Sequence, residues 1–229
     1  MSNLSLSAYI VVKKHRQKIR KLAEGQGAII RFSCLYTEAT MSIKIYIDQG
    51  HNPRDFNTGA EGNGFYEQDI TYEVGKRLYA LLSTSPEFEL KLSRPTPNTV
   101  LGTSNASSLT ARVREANEWG ADIFISLHTN ASLNENATGS EALIYSRSSR
   151  VALDLAEDIL EELNLVTGLR NRGVIERPGL YVLRRTNMPA VLVEMGFITN
   201  PTDAELMVYS PELFARGIYR GILKYYNLP

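Results

Sequence analysis

From Ile43 onward two hydrophobic periods alternate along the chain. Ile43, Ile45 and Ile47 stand at every second position of IKIYI, which predicts a strand. Residues 50–65, GHNPRDFNTGAEGNGF, are dense in Gly, Asn, Asp and Pro and predict a loop. Ile70, Val74, Leu78 and Leu81 then recur every three or four residues, the spacing of a helix over 66–82. FELKLS (88–93) predicts a second strand, and SSLTARVREANEW (107–119) a helix closed by Gly120. DIFISLH (122–128) and SEALIYS (140–146) read as strands, separated by a polar stretch. SRVALDLAEDILEEL (149–163) is an amphipathic helix, and PAVLVEMGF (189–197) is a short continuous apolar run of the kind that fills a buried strand. Leu213, Ile218, Ile222 and Tyr225 place a last helix over 211–226.

Strands that alternate with helices predict a single α/β domain. Its core is a twisted, mostly parallel central sheet of about six strands with helices on both faces. In such sheets ligands bind beyond the carboxyl ends of the strands.

Composition changes this picture in one place. The whole chain has no net charge, so it offers no electrostatic case for nucleic acid as a partner. Residues 1–40, however, carry seven Lys or Arg against Glu24 and Glu38. That is a net +5, which leaves the remainder at −5. Together with the change of pattern at Met41, this divides the chain into a basic N-terminal extension, 1–40, and a domain over 41–229. The segment KKHRQKIRK within the extension reads as a solvated helix or tail. No apolar run approaches the roughly 18 residues of a membrane helix, so stable membrane insertion is not expected. The apolar stretch Ala8–Val12 is short, and the basic cluster follows it, the reverse of a secretory signal. Cys34 is the only cysteine, so no disulfide forms within the chain.

The candidate chemistry gathers where strands run out. His51 follows Gly50 just past the first strand, His128 ends DIFISLH, and Glu194 ends AVLVE, while Glu67 opens the helix after the first loop. Two His and one Glu are a ligand set for catalytic zinc, and a further carboxylate can serve as general base. The spacing alone is not specific, because there is no H-E-x-x-H helix and no paired-cysteine motif. A thiol–imidazole pair from Cys34 with His51 or His128 is the competing chemistry. Gly50 is expected to let the backbone turn sharply and bring the His51 imidazole inward.

Six blocks, IYIDQGHNP, GFYEQDI, SLTARVREAN, ADIFISLHTNAS, GSEALIYS and MPAVLVEMGFITNPTDAELM, occur in this order over about residues 43–226. In these blocks the sequence resembles the zinc-dependent N-acetylmuramoyl-L-alanine amidases, the amidase-3 family of peptidoglycan hydrolases. The resemblance implies one Zn²⁺ per chain, with His51, Glu67 and His128 as ligands and Glu194 as general base. It also implies hydrolysis of the amide between the lactyl group of N-acetylmuramic acid and L-alanine, by a monomer that meets peptidoglycan at the cell wall. Two alternatives share its motifs: a zinc carboxypeptidase on stem peptides and a non-catalytic wall-binding module. Asn130, Arg94 and Glu141 are candidate substrate contacts, and Glu141 is also a candidate support for a ligand histidine. Where the family commonly reads G-H-G-G, this chain has Gly50-His51-Asn52-Pro53, so its loop is expected to follow its own path.

Overall fold

The computed structural model describes residues 42–229. The extension 1–40, with Cys34, lies outside the described residues. Eight strands and six helices follow in the order β1 (Ile43–Gln49), β2 (Glu61–Gly62), β3 (Phe65–Tyr66), α1 (Glu67–Leu82), β4 (Phe88–Leu92), α2 (Asn105–Trp119), β5 (Ile123–Asn130), β6 (Ser140–Ile144), α3 (Arg150–Thr167), β7 (Asn171–Glu176), α4 (Tyr181–Arg185), β8 (Ala190–Phe197), α5 (Pro201–Tyr209) and α6 (Pro211–Tyr226). Among the described residues no helix is long and apolar enough to cross a membrane.

Six strands form one sheet in the order β4-β1-β5-β8-β6-β7, and β2 and β3 make a separate small hairpin. The pairs β1–β4, β1–β5, β5–β8 and β6–β7 are parallel, but β6 runs antiparallel to β8. The break follows from chain length. A parallel return needs a crossover of a dozen or more residues. Only the loop 131–139 joins β5 to β6, so β6 comes back in the opposite direction.

The pleat sends alternate β1 side chains to opposite helical layers. On one face Tyr46 stacks on Phe124, ring centres 5.5 Å apart, in an apolar cluster with Val113 and Ala116 of α2, Val182 and Leu183 of α4, and Leu143 and Leu192 of the sheet. The other face is covered by α1 and α3, and α6 packs on both of them. Helices therefore cover both faces, as the alternation of periods predicts.

The helix ends follow local chemistry. Ser104 caps α2 in a reciprocal capping box with Ser107, and Gly120 ends it in the left-handed conformation. Five elements go beyond the sequence reading. The hairpin strands are two residues each, and α4 is barely more than one turn. β7 is an edge strand with mostly exposed or half-buried residues and so lacks an apolar signature. α5 is anchored by polarity: Asp203 accepts from the Phe197 and Gly139 amides and the Thr138 hydroxyl, which ties β8 to the entry of β6.

Candidate metal centre

The sheet places the first half of the site. His128 on β5 is the register partner of Glu194 on β8, and Glu194 is in turn the partner of Glu141 on β6. Register partners point to the same face, so the three side chains form one row across the sheet. Both β5 and β8 continue past these residues, to Asn130 and Phe197. The expectation that each strand stops at its polar residue is corrected accordingly. The ladder shifts register between His128 and Asn130, an irregularity that re-aims side chains at the sheet rim.

The second half comes from the loop after β1. His51 itself adopts the left-handed region, φ 68°, where an L-residue is uncommon. Gly50 does not, so the sharp turn expected of it belongs to its neighbour. Gly50 is required for a different reason: a Cβ there would lie 2.5 Å from the Leu127 carbonyl oxygen and 2.6 Å from His128 Cε1. Removing that one carbon lets the two histidine rings approach, edge to face, with centres 4.8 Å apart.

Buried polar side chains hold this loop. Arg112 of α2 is 1% exposed. It donates to Asp48 Oδ1 at 2.5 Å, to the Gln49 carbonyl at 2.7 Å and to the His51 carbonyl at 2.6 Å. Ser126 donates to the other Asp48 oxygen at 2.8 Å. Burial pushes the Asp48 carboxyl up, but the Arg112 guanidinium outweighs it and holds the group below the usual range. Asn52, where the chain departs from the common family pattern, is fully buried. Its amide donates to the Phe56 and Leu101 carbonyls, and its Oδ1 accepts from the Leu101 amide and Arg112. The Asn57 carbonyl lies 3.2 Å from His51 Nδ1. A proton held there leaves the Nε2 lone pair for a metal.

Glu67 joins the halves. As the first residue of α1 it carries its charge where a helix dipole favours an anion. Its Oε1 lies 3.2 Å from His51 Nε2 and 3.0 Å from His128 Nδ1, and it accepts from the Thr129 amide at 2.9 Å. Oε2 accepts from the Ala60 amide at 2.8 Å. Gly59 makes room for it, since a Cβ at that position would stand 2.6 Å from the Glu67 side chain. Burial raises the Glu67 carboxyl, yet its close contacts with the His128 and His51 rings prevail and place it well below the carboxylate range.

The donor atoms of His51, Glu67 and His128 all lie within 4.8 Å of one another. Two imidazoles and one carboxylate suit a zinc-like divalent ion with an open fourth position. The surroundings favour a cation too. Glu194 is half-buried, but its Oε2 is shielded from water and has no hydrogen-bond partner among the described residues. Burial, then the charges of Glu67 and Glu141, push this carboxyl up to about 8. A divalent ion would offset that concentration of negative charge.

The three remaining candidates separate. Asn130 and Glu141 are beside the row: Asn130 Nδ2 donates to Glu141 Oε1 at 2.9 Å, and Arg172 of β7 pairs with Glu141 Oε2 at 3.0 Å. Arg94 is not brought there. It is 1% exposed, donates to the Gln68 and Pro97 carbonyls, and lies over the Tyr72 ring. A cleft of about 340 Å³ opens over His51, His128 and Glu194, with a far wall formed by Arg177, Leu180 and Tyr181. Sequence reading missed this wall and the Asp48–Arg112–Asn52 strap. Two signals pointed to the strap: the unusual Asn52-Pro53 pair, and Arg112, whose position on a helix predicts an ion pair within the chain and whose partner is Asp48.

Residues 45–224 match the N-acetylmuramoyl-L-alanine amidase family. The chain is 37% identical to the N-acetylmuramoyl-L-alanine amidase CwlM of Bacillus licheniformis, over 81% of this chain and 70% of that protein. It is 36% identical to the amidase LytC of Bacillus subtilis, over 80% of this chain but only 35% of that longer protein. The crystal structure of an N-acetylmuramoyl-L-alanine amidase from Clostridium difficile 630 superposes with a TM-score of 0.73 at 30% identity, covering 81% of this chain and 97% of that one. A family match across nearly all the described residues, on the same fold, means that the chain belongs to the N-acetylmuramoyl-L-alanine amidase family of hydrolases.

Proposed function

We propose that the chain cleaves the amide between the lactyl group of N-acetylmuramic acid and L-alanine in peptidoglycan, with one zinc ion held by His51, Glu67 and His128. One observation carries the reading: three suitable donors converge within 4.8 Å, beside a carboxylate with an unpartnered buried oxygen. When bound, zinc supplies a Lewis acid that acidifies water and polarises an amide carbonyl.

The rest of the chemistry falls to the chain. Glu194 takes a proton from the attacking water and returns it to the alanine nitrogen as the amide opens. Burial and the neighbouring carboxylates raise its affinity for a proton, which helps it keep the one it takes, and a bound cation would oppose that rise and favour the ionised form a base needs. Asn57 fixes the His51 ring, and the Ala60 and Thr129 amides fix the Glu67 carboxylate. A cleft of about 340 Å³ beside the row offers room for the substrate's peptide. In this reading 41–229 is the catalytic domain and 1–40 an extension outside it, and the protein acts on the cell wall as a monomer.

Digestion of purified peptidoglycan tests the reading. Wild type should release new L-alanine amino termini while glycan chains stay intact. Glu194→Gln should keep its zinc and lose about 10²- to 10⁴-fold in rate, the usual worth of a general acid–base group. Chelation should abolish activity, and thiol alkylation should not. Undiminished cleavage by Glu194→Gln would remove that residue from the role.

A further inference from the structure

The far wall of the cleft holds a charge that the proposed chemistry does not use. Arg177 follows β7 and lines the same cleft as His51, His128 and Glu194. Its backbone is fixed on both sides. The N–H donates to the Ile144 carbonyl at 2.8 Å, and the carbonyl accepts from the Leu180 amide at 3.1 Å, closing a turn through Pro178 and Gly179. Proline locks its own φ, so the turn is stiff.

The Arg177 side chain is the opposite case. It is exposed, and its guanidinium makes a single hydrogen bond among the described residues, from Nη1 to the carbonyl of Glu176 at 3.1 Å. The other arginine of the cleft, Arg112, has its charge consumed by Asp48 and by the carbonyls of Gln49 and His51. Arg177 is therefore, among the described cleft residues, the one cation without a carboxylate partner. It stands on a rigid turn, in a cleft that the apolar Leu180 and Leu109 also line.

An anchored backbone, an uncommitted planar fork and an apolar flank are what a carboxylate-reading contact requires. The fork matches a carboxylate in two-point geometry, and the fixed turn reduces the ordering cost of binding. We propose that Arg177 is a specificity-determining residue that binds a carboxylate of the peptide stem, namely the free α-carboxylate of the γ-linked D-glutamate that follows L-alanine. The inference rests on the amidase reading for its choice of ligand.

The test compares carboxylate with carboxamide at that one position. Synthetic muramoyl peptides of each kind are cleaved by zinc-loaded wild type, Arg177→Gln and Arg177→Lys. The matching free L-alanyl-γ-D-glutamyl and L-alanyl-γ-D-isoglutaminyl peptides are titrated by calorimetry. Wild type should favour the carboxylate by about tenfold in kcat/KM, chiefly through KM, and by a similar ratio in binding, the usual worth of a charged hydrogen bond at an exposed site. Arg177→Gln should treat the two ligands alike, and Arg177→Lys should keep part of the preference. Equal handling of both ligands by wild type, or a wild-type ratio retained in Arg177→Gln, would overturn the proposal. If no form cleaves either substrate, the amidase reading fails, and the binding ratio still decides the role of Arg177.

Discussion

His51 and His128 meet with ring centres 4.8 Å apart but are held there by unrelated means. His128 belongs to a central strand, flanked by β1 and β8, and the main-chain ladder fixes its position. His51 belongs to a loop, in a backbone region that L-residues avoid. What fixes it is a set of polar side chains: the neighbouring, buried Asn52, and from the distant α2 the buried Arg112 together with the Asn105 and Ser108 that hold Asn57. The strand-borne half of the site should therefore tolerate side-chain change around its ligand. The loop-borne half should fail when single polar groups are removed.

The hardest test of that difference is Arg112→Met. It leaves Asp48 buried without its cation and strips donors from the Gln49 and His51 carbonyls. Breaking a buried pair on one side costs about 3–5 kcal/mol, so the urea midpoint should fall sharply and zinc affinity with it. A variant that unfolded at the wild-type midpoint would mean that the loop's main chain holds itself.

Acid examines the same pair reversibly. The folded Asp48 carboxyl is held below its ordinary value of about 3.9. Its stabilising contribution is thus complete above that value and is lost as pH falls through the lower folded pKa. Unfolding free energy measured against pH should decline in that acid window for wild type. In Arg112→Met the largest lowering influence on Asp48 is gone and burial is opposed only by the Ser126 hydroxyl and by His128, so that part of the decline should shrink or vanish.

Asn52→Ala is the next step down. It removes two donated and two accepted hydrogen bonds from a fully buried side chain. Groups left unpaired cost about 1–3 kcal/mol, and loss of a group supporting a ligand typically lowers metal affinity about 10- to 100-fold. Competition with a chromophoric chelator measures the second effect. Lost stability with wild-type zinc affinity would show that Asn52 holds the Leu101 segment and leaves His51 unaffected.

The same division explains what the sequence made legible. The strand carrying His128 and the apolar run ending near Glu194 are continuous hydrophobic signals, so the strands and their polar residues stand out together. The resemblance then sorted Glu67 and Glu194 into ligand and base. Asn52 was visible as a departure from the common pattern, but its bonding partners lie at Leu101 and Arg112, 49 and 60 residues away, and no local period records such contacts. Gly50 was noticed for the wrong property, since its value lies in the room it leaves for His128 and not in its own dihedrals. The reversed direction of β6 and the edge strand β7 were hidden as well. One depends on a short connection and the other on exposure, and neither leaves an apolar pattern.

The smallest expected effect falls on the strand side, at Thr129→Val. Thr129 follows His128 on β5, and its main-chain N–H donates to Glu67 Oε1 at 2.9 Å. Its hydroxyl is buried and has no hydrogen-bond partner among the described residues. Valine keeps the branched shape and the N–H, and it removes a polar group that gains nothing where it sits. Burying such a hydroxyl costs about 1–3 kcal/mol by mutational data. Recovering part of that should leave the variant equal to wild type or more stable by up to about 1 kcal/mol in urea. Zinc affinity should not change, because the ladder, and not the threonine side chain, sets where His128 and the Glu67 contact lie. A tenfold loss of affinity in Thr129→Val would mean that side chains hold the strand-borne ligand too, and the contrast between the two histidines would then disappear.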